Sequence, residues 1–173
     1  MRHVMVDIES LGSKPPAVIL SIGAVEFGMN GLGKEFHYRV DVATSLLHGF
    51  TVDPRTVAWW QEQSALAKDA AFHWPGAETI EQVLYRFTKF VDKDTRLWAK
   101  GPDYDCVMIA AAYHALGEKE PWSFRNMRDV RTILSLSGVL QRKSIHDHNA
   151  LNDARVQADA VIESYEKLGM VLE

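Results

Sequence analysis

Two acidic side chains near the N-terminus, Asp7 and Glu9, have types and spacing that could do chemistry. Apolar Val4, Val6 and Ile8 alternate with them, a pattern that predicts a β-strand. Side chains alternate faces along a strand, so both acids project from the same side. Two carboxylates placed there repel each other and lose hydration unless a cation lies between them, and hard divalent metals prefer carboxylate oxygen. The pair therefore indicates a metal site, although an exposed edge strand with both acids in water has the same pattern.

A third acid, Asp105, follows the predicted strand 96–100 and the turn at Gly101-Pro102. At this point a strand passes into a helix, and such strand ends are where ligands tend to bind in open α/β sheets. The alternative is that an acid in the first helical turn only compensates the helix dipole. That alternative suits Asp103 better than Asp105.

Near the C-terminus, His148 and Asp153 are five residues apart. In one regular helix they would point about 140° apart. They converge more easily if His148 lies in the loop before the helix and Asp153 in its first turns, and the small Ala150 and Ala154 would let that helix pack close to the sheet. The alternatives are a histidine that only begins a helix and another acid favoured by the helix dipole.

Taken together and in this order, the motifs resemble those of the DEDDh 3′–5′ exonucleases and cover most of the chain: Asp7-x-Glu9, Asp105 and His148-x₄-Asp153. Segments 59–61, 101–105 and 126–132 further resemble a bacterial and phage subfamily labelled exoribonuclease or exodeoxyribonuclease VIII-like. One departure is Asn152, where relatives often carry an acid; we expect it to tune the metal site rather than to abolish it.

The resemblance implies an α/β protein with an RNase H-like fold, in which a mixed five-stranded sheet carries helices on both faces. It also implies two divalent cations, Mg²⁺ or Mn²⁺, which together stabilise the attacking and leaving oxygens of a phosphate. Asp7 is expected to bridge both cations, and His148 is expected to take a proton from the attacking water, because histidine titrates near neutrality. The expected metal ligands are the four acids Asp7, Glu9, Asp105 and Asp153.

Substrate contacts follow from the resemblance and from residue type. By resemblance, the pocket for the terminal nucleotide is lined by Ser10, Leu11 and Gly12. Trp59 and Trp60 could stack on a base, but adjacent helical residues face different directions and core packing explains each equally well. Asp129, among Arg125, Arg128 and Arg131, could contact phosphate or a second subunit, although a solvated helix face is the simpler interpretation.

The composition is that of an ordinary globular chain, with 47% apolar and 24% charged residues among 173. We expect a single domain over residues 1–173. The single cysteine, Cys106, fits a reducing cytoplasm. We expect neither a signal peptide nor a membrane span, because no stretch resembles the former and no apolar run approaches roughly 20 residues. The net charge of −4 argues against a protein that coats nucleic acid through a basic surface, but not against an enzyme that binds one chain end through metals.

Around these residues the pattern predicts strands and helices in an order typical of an α/β sandwich on one mixed sheet. The first three strands should form an antiparallel meander. Asp53 and Ser64 are expected to cap two helices, and Asp103 a third that ends near Leu116. The predicted strands are 3–8, 17–27, 35–40, 96–100 and 122–124, and further helices are predicted over 78–91, 128–136 and 149–168.

The sequence thus predicts a metal-dependent 3′–5′ exonuclease that acts on single-stranded ends, with RNA favoured over DNA. No residue marks the contact to a 2′-hydroxyl that would decide between the two. The alternatives are a phosphodiesterase for short oligonucleotides or dinucleotides and a non-catalytic nucleic-acid-binding module. A homodimer is expected from the subfamily only.

Overall fold

One mixed sheet organises the chain in the computed structural model, which describes residues 1–73, 75–141 and 148–172. Within that part, five strands lie in the order β3-β2-β1-β4-β5. The first three strands form the predicted antiparallel meander, and β4 and β5 continue the sheet in parallel with β1. The strands are β1 (His3–Ser10), β2 (Ile19–Gly28), β3 (Gly31–Arg39), β4 (Arg96–Ala99) and β5 (Met127–Asp129).

Several helices begin at the side chains that the sequence marks as caps. Asp53 accepts a hydrogen bond from the backbone N–H of Arg55, and Ser64 accepts one from that of Ala67, as predicted. The helices are α1 (Val42–Leu47), α2 (Pro54–Glu62), α3 (Ala65–Lys68) with a π-helical continuation (Asp69–His73), α4 (Ile80–Phe90), α5 (Asp105–Ala115), α6 (Val130–Ser137) and α7 (Ala150–Lys167). None of the described helices combines the length and apolar character that a membrane crossing requires.

Strand β1 separates two apolar layers, which explains why helices cover both faces of the sheet. Val4, Val6 and Ile8 belong to a core that also contains buried residues of α4 and α5. Met5 points the other way, into a second core with residues of α6 and α7. Since side chains alternate along a strand, Asp7 shares the α6–α7 face with Met5. The predicted mixed sheet with helices on both faces is confirmed.

The close seating of α7 on the sheet depends on small residues. Ala150, Ala154 and Ala158 are fully buried, in line with the expectation that alanines let this helix approach. On the facing strand, a Cβ added at Gly23 would lie 2.2 Å from the backbone of Ala150 and of the next residue. Gly23 pairs directly with Asp7 in the sheet, so the start of α7 lies beside the acid-bearing segment of β1.

Two predicted elements differ from the structure. No strand forms over 122–124: Trp122 is buried in the core, and a 3₁₀ turn (Phe124–Asn126) leads into β5, which pairs with β4. Helix α5 begins at Asp105 rather than after Asp103, whose exposed carboxylate instead accepts from the guanidinium of Arg131 at 2.7 Å. In both places a tertiary partner decides the outcome, and local sequence carries no signal of it.

Candidate active site

Three carboxylates meet where β1 passes beneath the first turns of α7. Asp7 and Glu9 come from the strand and Asp153 from the helix, and each offers an oxygen atom within 4.8 Å of the others. The predicted same-side projection of the two strand acids is therefore present, and Asp153, one of the expected metal ligands, lies beside them. Oxygen donors grouped in this way are the ligands that Mg²⁺ and Mn²⁺ prefer, so the residues fit a hard divalent cation.

Asp105 joins this group from the opposite side of β1. It is the first residue of α5 and is 4% exposed. Its Oδ1 accepts a hydrogen bond from the backbone N–H of Ile8 at 3.2 Å, which fixes the start of α5 to the strand between Asp7 and Glu9. Its charge raises the pKa of both strand acids, so it belongs to the same electrostatic site.

Burial and mutual repulsion raise the pKa of these acids above its ordinary range. Burial first, and then the charges of Asp153 and Asp105, raise the pKa of Glu9 from 4.5 to about 8. Burial likewise raises the pKa of Asp7 well above its ordinary value, the neighbouring carboxylates add to the shift, and the amide of Gln157 opposes it. The pKa of Asp105 rises to about 7, again mainly through burial, although backbone hydrogen bonds oppose the change. A bound divalent cation would remove this conflict by favouring the charged forms.

His148 lies immediately before α7, as the spacing to Asp153 predicts. Its φ of 66° is in the left-handed region, and Asn149 caps the helix that follows. The imidazole packs edge-on against Trp59 at 4.8 Å and Trp60 at 5.7 Å between ring centroids. The imidazole therefore lies in contact with both indoles.

A pocket of about 260 Å³ opens beside the acids. Glu9 and Tyr104 contribute to its wall along with several of the predicted substrate contacts: Ser10, Gly12, Trp59 and Trp60. Trp60 is 2% exposed and donates its Nε1–H to the carbonyl of Ser10 at 2.9 Å, whereas Trp59 is 41% exposed. Of the two indoles, that of Trp59 is the one exposed enough to contact a base.

Two predicted contacts lie away from this pocket. Leu11 is 7% exposed, and its side chain packs in the core shared with α4 and α5. Asp129 ends β5, two strands and about 10 Å from β1 across the sheet. It caps α6 and pairs with the guanidinium of Arg131 at 3.0 Å, so the structure does not bring it to the acids.

Comparison with known proteins agrees with this geometry. A family model described as the 3′–5′ exoribonuclease Rv2179c-like domain matches residues 2–165. The chain belongs to this family. The predicted 3′–5′ exonuclease resemblance is thereby confirmed. Comparison with curated proteins finds no match.

Solved exonuclease structures share the fold of this family member. The nuclease domain of 3′hExo, a DEDDh family member bound to rAMP, superposes with a TM-score of 0.63 at 12% identity, over 99% of this chain and 94% of that one. Exonuclease I superposes with a TM-score of 0.67 at 13% identity, over 96% of this chain. This chain spans only 40% of the length of exonuclease I. E. coli exonuclease I bound to a 5cy-dA13 oligonucleotide gives a TM-score of 0.62 at 13% identity over the same shares.

Three residues at the site were not anticipated from the sequence. Tyr104 shares a hydrogen bond of 2.7 Å with the hydroxyl of Ser10, and Gln157 donates to Asp7 at 2.8 Å. Gly23 seats α7 on the sheet. Each had a usable signal: Tyr104 adjoins Asp105, Gln157 lies one helical turn beyond Asp153, and Gly23 interrupts a β-branched strand.

The side chain of Asn152, the position expected to tune the metal site, contacts a neighbouring arginine of α7. Its side-chain oxygen accepts from the guanidinium of Arg155 at 2.9 Å, and Arg155 in turn pairs with Glu35 on β3 at 2.6 Å. An amide at position 152 therefore participates in the contact between α7 and β3.

Proposed function

We propose that this chain is a metal-dependent 3′–5′ exonuclease that hydrolyses single-stranded nucleic acid from the 3′ end, with RNA favoured over DNA. The meeting of Asp7, Glu9 and Asp153 within 4.8 Å is the observation that carries the proposal. Membership of an exoribonuclease family supports the direction of hydrolysis and the preference for RNA.

In this proposal the ligands of two divalent cations, Mg²⁺ or Mn²⁺, are Asp7, Glu9, Asp105 and Asp153. When bound, the cations supply positive charge to the oxygens of the scissile phosphate.

His148 acts as the general base. Its imidazole takes a proton from the attacking water, and the water oxygen joins phosphorus. The bond from phosphorus to the 3′ oxygen of the preceding nucleotide breaks, and that oxygen takes up a proton from solvent to become the 3′-hydroxyl of the shortened chain. The product is a nucleoside 5′-monophosphate. A general base must lie within hydrogen-bond reach of the water, and the edge-on contacts hold the imidazole against Trp59 and Trp60, which line the pocket beside Glu9.

The pocket beside Glu9 receives the terminal nucleotide. Ser10 and Gly12 offer backbone and hydroxyl groups along its wall, and the exposed face of Trp59 can stack on a base of any identity. Leu11 acts through its backbone, because its side chain is in the core. A role of Asp129 in binding phosphate or a second subunit stays a prediction for the outer end of β5.

The wider expectations stay part of this proposal. They are a single domain over 1–173, a possible homodimer, and a cytoplasmic location, which the one buried thiol at Cys106 suits. The partner is a single-stranded 3′ end, in keeping with the oligonucleotide bound to E. coli exonuclease I.

The second candidate is a phosphodiesterase for short oligonucleotides or dinucleotides. It is favoured by the small pocket, about 260 Å³, and by a net charge of −4, which offers little attraction to a long phosphate backbone. A non-catalytic binding module is the weaker alternative, because every member of the predicted catalytic set is present in the sequence.

A length series of single-stranded RNA, from the dinucleotide upward, separates these candidates. We expect nucleoside 5′-monophosphates, identified by mass spectrometry, to be released from every length. Blocking the 3′ terminus should stop release, whereas blocking the 5′ terminus should not. Activity confined to the dinucleotide would favour the phosphodiesterase, and internal cleavage products would contradict both.

A further inference from the structure

Gln157 has a buried amide side chain that contacts the acid cluster. It is not one of the predicted catalytic residues. It lies four residues after Asp153 on α7, and residues at this spacing share one face of a helix. Its Nε2 donates to Oδ1 of Asp7 at 2.8 Å, and the residue is 3% exposed. The same face of α7 therefore supplies one acid of the cluster and holds a second one that belongs to β1.

The other end of this amide is unsatisfied. Among the described residues, Oε1 of Gln157 is buried and has no hydrogen-bond partner. A buried carbonyl oxygen without a partner destabilises a folded protein, whereas an apolar side chain of the same shape would not. Among the described residues, the hydrogen bond to Asp7 is therefore the interaction that accounts for a polar side chain at this position.

The chemistry of the contact suits a role in metal binding. The Asp7 carboxylate lies beside Glu9 and Asp153, whose charges repel it. Without a restraint, the carboxylate would rotate away from them. A lysine or arginine could also hold it, but a positive charge there would compete with a cation for the same acids. An amide N–H group fixes the carboxylate without such competition.

We propose that Gln157 is a positioning residue that orients the Asp7 carboxylate for metal binding. This inference rests on the proposed function, since it concerns the same metal site. Partners that hydrogen-bond to ligating carboxylates orient the ligand, and their loss weakens metal affinity or activity by about 10- to 100-fold. Here the orienting group also links β1 to α7, the two elements whose separation sets the size of the site.

The test replaces Gln157 by methionine, which has a similar length and no hydrogen-bonding group. In EDTA, Gln157→Met should melt near the wild-type temperature, because the removal of the unpaired carbonyl and the loss of the hydrogen bond to Asp7 have opposite effects on stability. Its affinity for Mn²⁺, measured by calorimetry in the absence of substrate, should fall by about 10- to 100-fold. At saturating Mn²⁺, kcat should be lowered while KM for an oligonucleotide stays unchanged. Gln157→Leu serves as a second apolar variant in case methionine packs poorly.

Ser164→Ala is the matched control on the same helix. Ser164 is fully buried, accepts from Ser137 at 2.9 Å and donates to the carbonyl of Ala160, so its loss should lower the melting temperature. Its affinity for Mn²⁺ should stay at the wild-type value, since it lies about two turns beyond Gln157.

Two results would overturn this role and are distinguishable from each other. Wild-type affinity for Mn²⁺ and wild-type kcat in Gln157→Met would refute the positioning role alone, while the proposed function stands. A wild-type protein that binds no Mn²⁺ would refute the metal site itself and, with it, any role of Gln157 in forming that site.

Discussion

At the scale of single residues, the buried carboxylates of the site repel one another, and a bound cation would offset that repulsion. Asp7, Glu9 and Asp105 all have a raised pKa, and in each case burial is the largest cause. Such acids in the metal-free protein retain protons that the unfolded chain releases. Stability of the metal-free protein should therefore depend on pH in a characteristic direction.

The sign follows from Glu9, whose pKa is 4.5 when unperturbed and about 8 in the folded protein. Its stabilising contribution is complete below 4.5 and is lost as the pH rises through 8. His37 works in the opposite direction, because burial lowers its pKa from 6.5 to about 4, but it is neutral in both states above 6.5. The window from 6.5 to 8 therefore reports mainly on the acids.

We expect the melting temperature in EDTA to fall across that window, and Glu9→Gln to flatten the slope. Saturating Mn²⁺ should remove the fall in the wild-type protein, because metal binding favours the deprotonated carboxylates. A melting temperature in EDTA that does not change with pH would contradict the assignment of these acids. The same dependence of melting temperature on pH in Glu9→Gln as in the wild-type protein would also contradict it.

The two tryptophans should separate in function although they are neighbours in sequence. Trp59 is 41% exposed and contacts His148, so Trp59→Ala removes both a stacking surface and a support of the imidazole. Stacking on one base is worth about 1–3 kcal/mol, so kcat/KM should fall by about 5- to 150-fold with little change in melting temperature. Trp60→Phe removes the hydrogen bond to Ser10, so its main effect should be a lower melting temperature rather than a lower kcat/KM. Unchanged kcat/KM in Trp59→Ala would exclude Trp59 from substrate binding and from support of the base.

At the scale of elements, the distance between β2 and the start of α7 sets the site. Gly23→Ala would place a methyl group 2.2 Å from the backbone of Ala150, and backbone cannot rotate aside as a side chain can. We expect a loss of about 1–3 kcal/mol in stability, as for other overpacked cores. Mn²⁺ affinity and turnover should fall as well, because the shift carries Asp153 away from β1.

Gly28→Ala is the control for this substitution. Gly28 is in the same strand, and a Cβ there meets nothing within 4 Å. It should leave metal affinity and turnover unchanged. Wild-type stability and Mn²⁺ affinity in Gly23→Ala would show that the seating of α7 does not set the site.

Elements whose signals are local could be predicted, and those set by distant partners could not. The strand alternation around Asp7 and the caps at Asp53 and Ser64 depend on neighbouring residues, so they agree with the structure. The last strand was misplaced onto 122–124, because only pairing with β4 shows that Met127–Asp129 is the strand. Helix α1, which the sequence analysis missed, is capped by Asp41 and has only six residues, too few for a clear helical period.

At the scale of the whole molecule, the fold joins three distant segments of sequence into one site. β1, α5 and α7 contribute acids from positions 7 to 153, and the ordered motifs identify those acids because their spacing along the chain is distinctive. The sequence could place Gln157 and Tyr104 near acids of the site, but it could not show their hydrogen bonds to Asp7 and Ser10, because that geometry exists only after the elements pack. The acids of the site could therefore be identified from the sequence, whereas the hydrogen bonds between packed elements required the structure.

The central claim is that this acid cluster drives hydrolysis from the 3′ end. The most direct measurement digests matched 5′-labelled single-stranded RNA and DNA with wild-type protein and with Asp7→Asn, each in Mn²⁺ and in EDTA. We predict a ladder that shortens from the 3′ end for the wild-type protein in Mn²⁺, faster on RNA, and no shortening in EDTA or with Asp7→Asn. Equal cleavage by Asp7→Asn, or intact polymers with the wild-type protein in Mn²⁺, would contradict the claim.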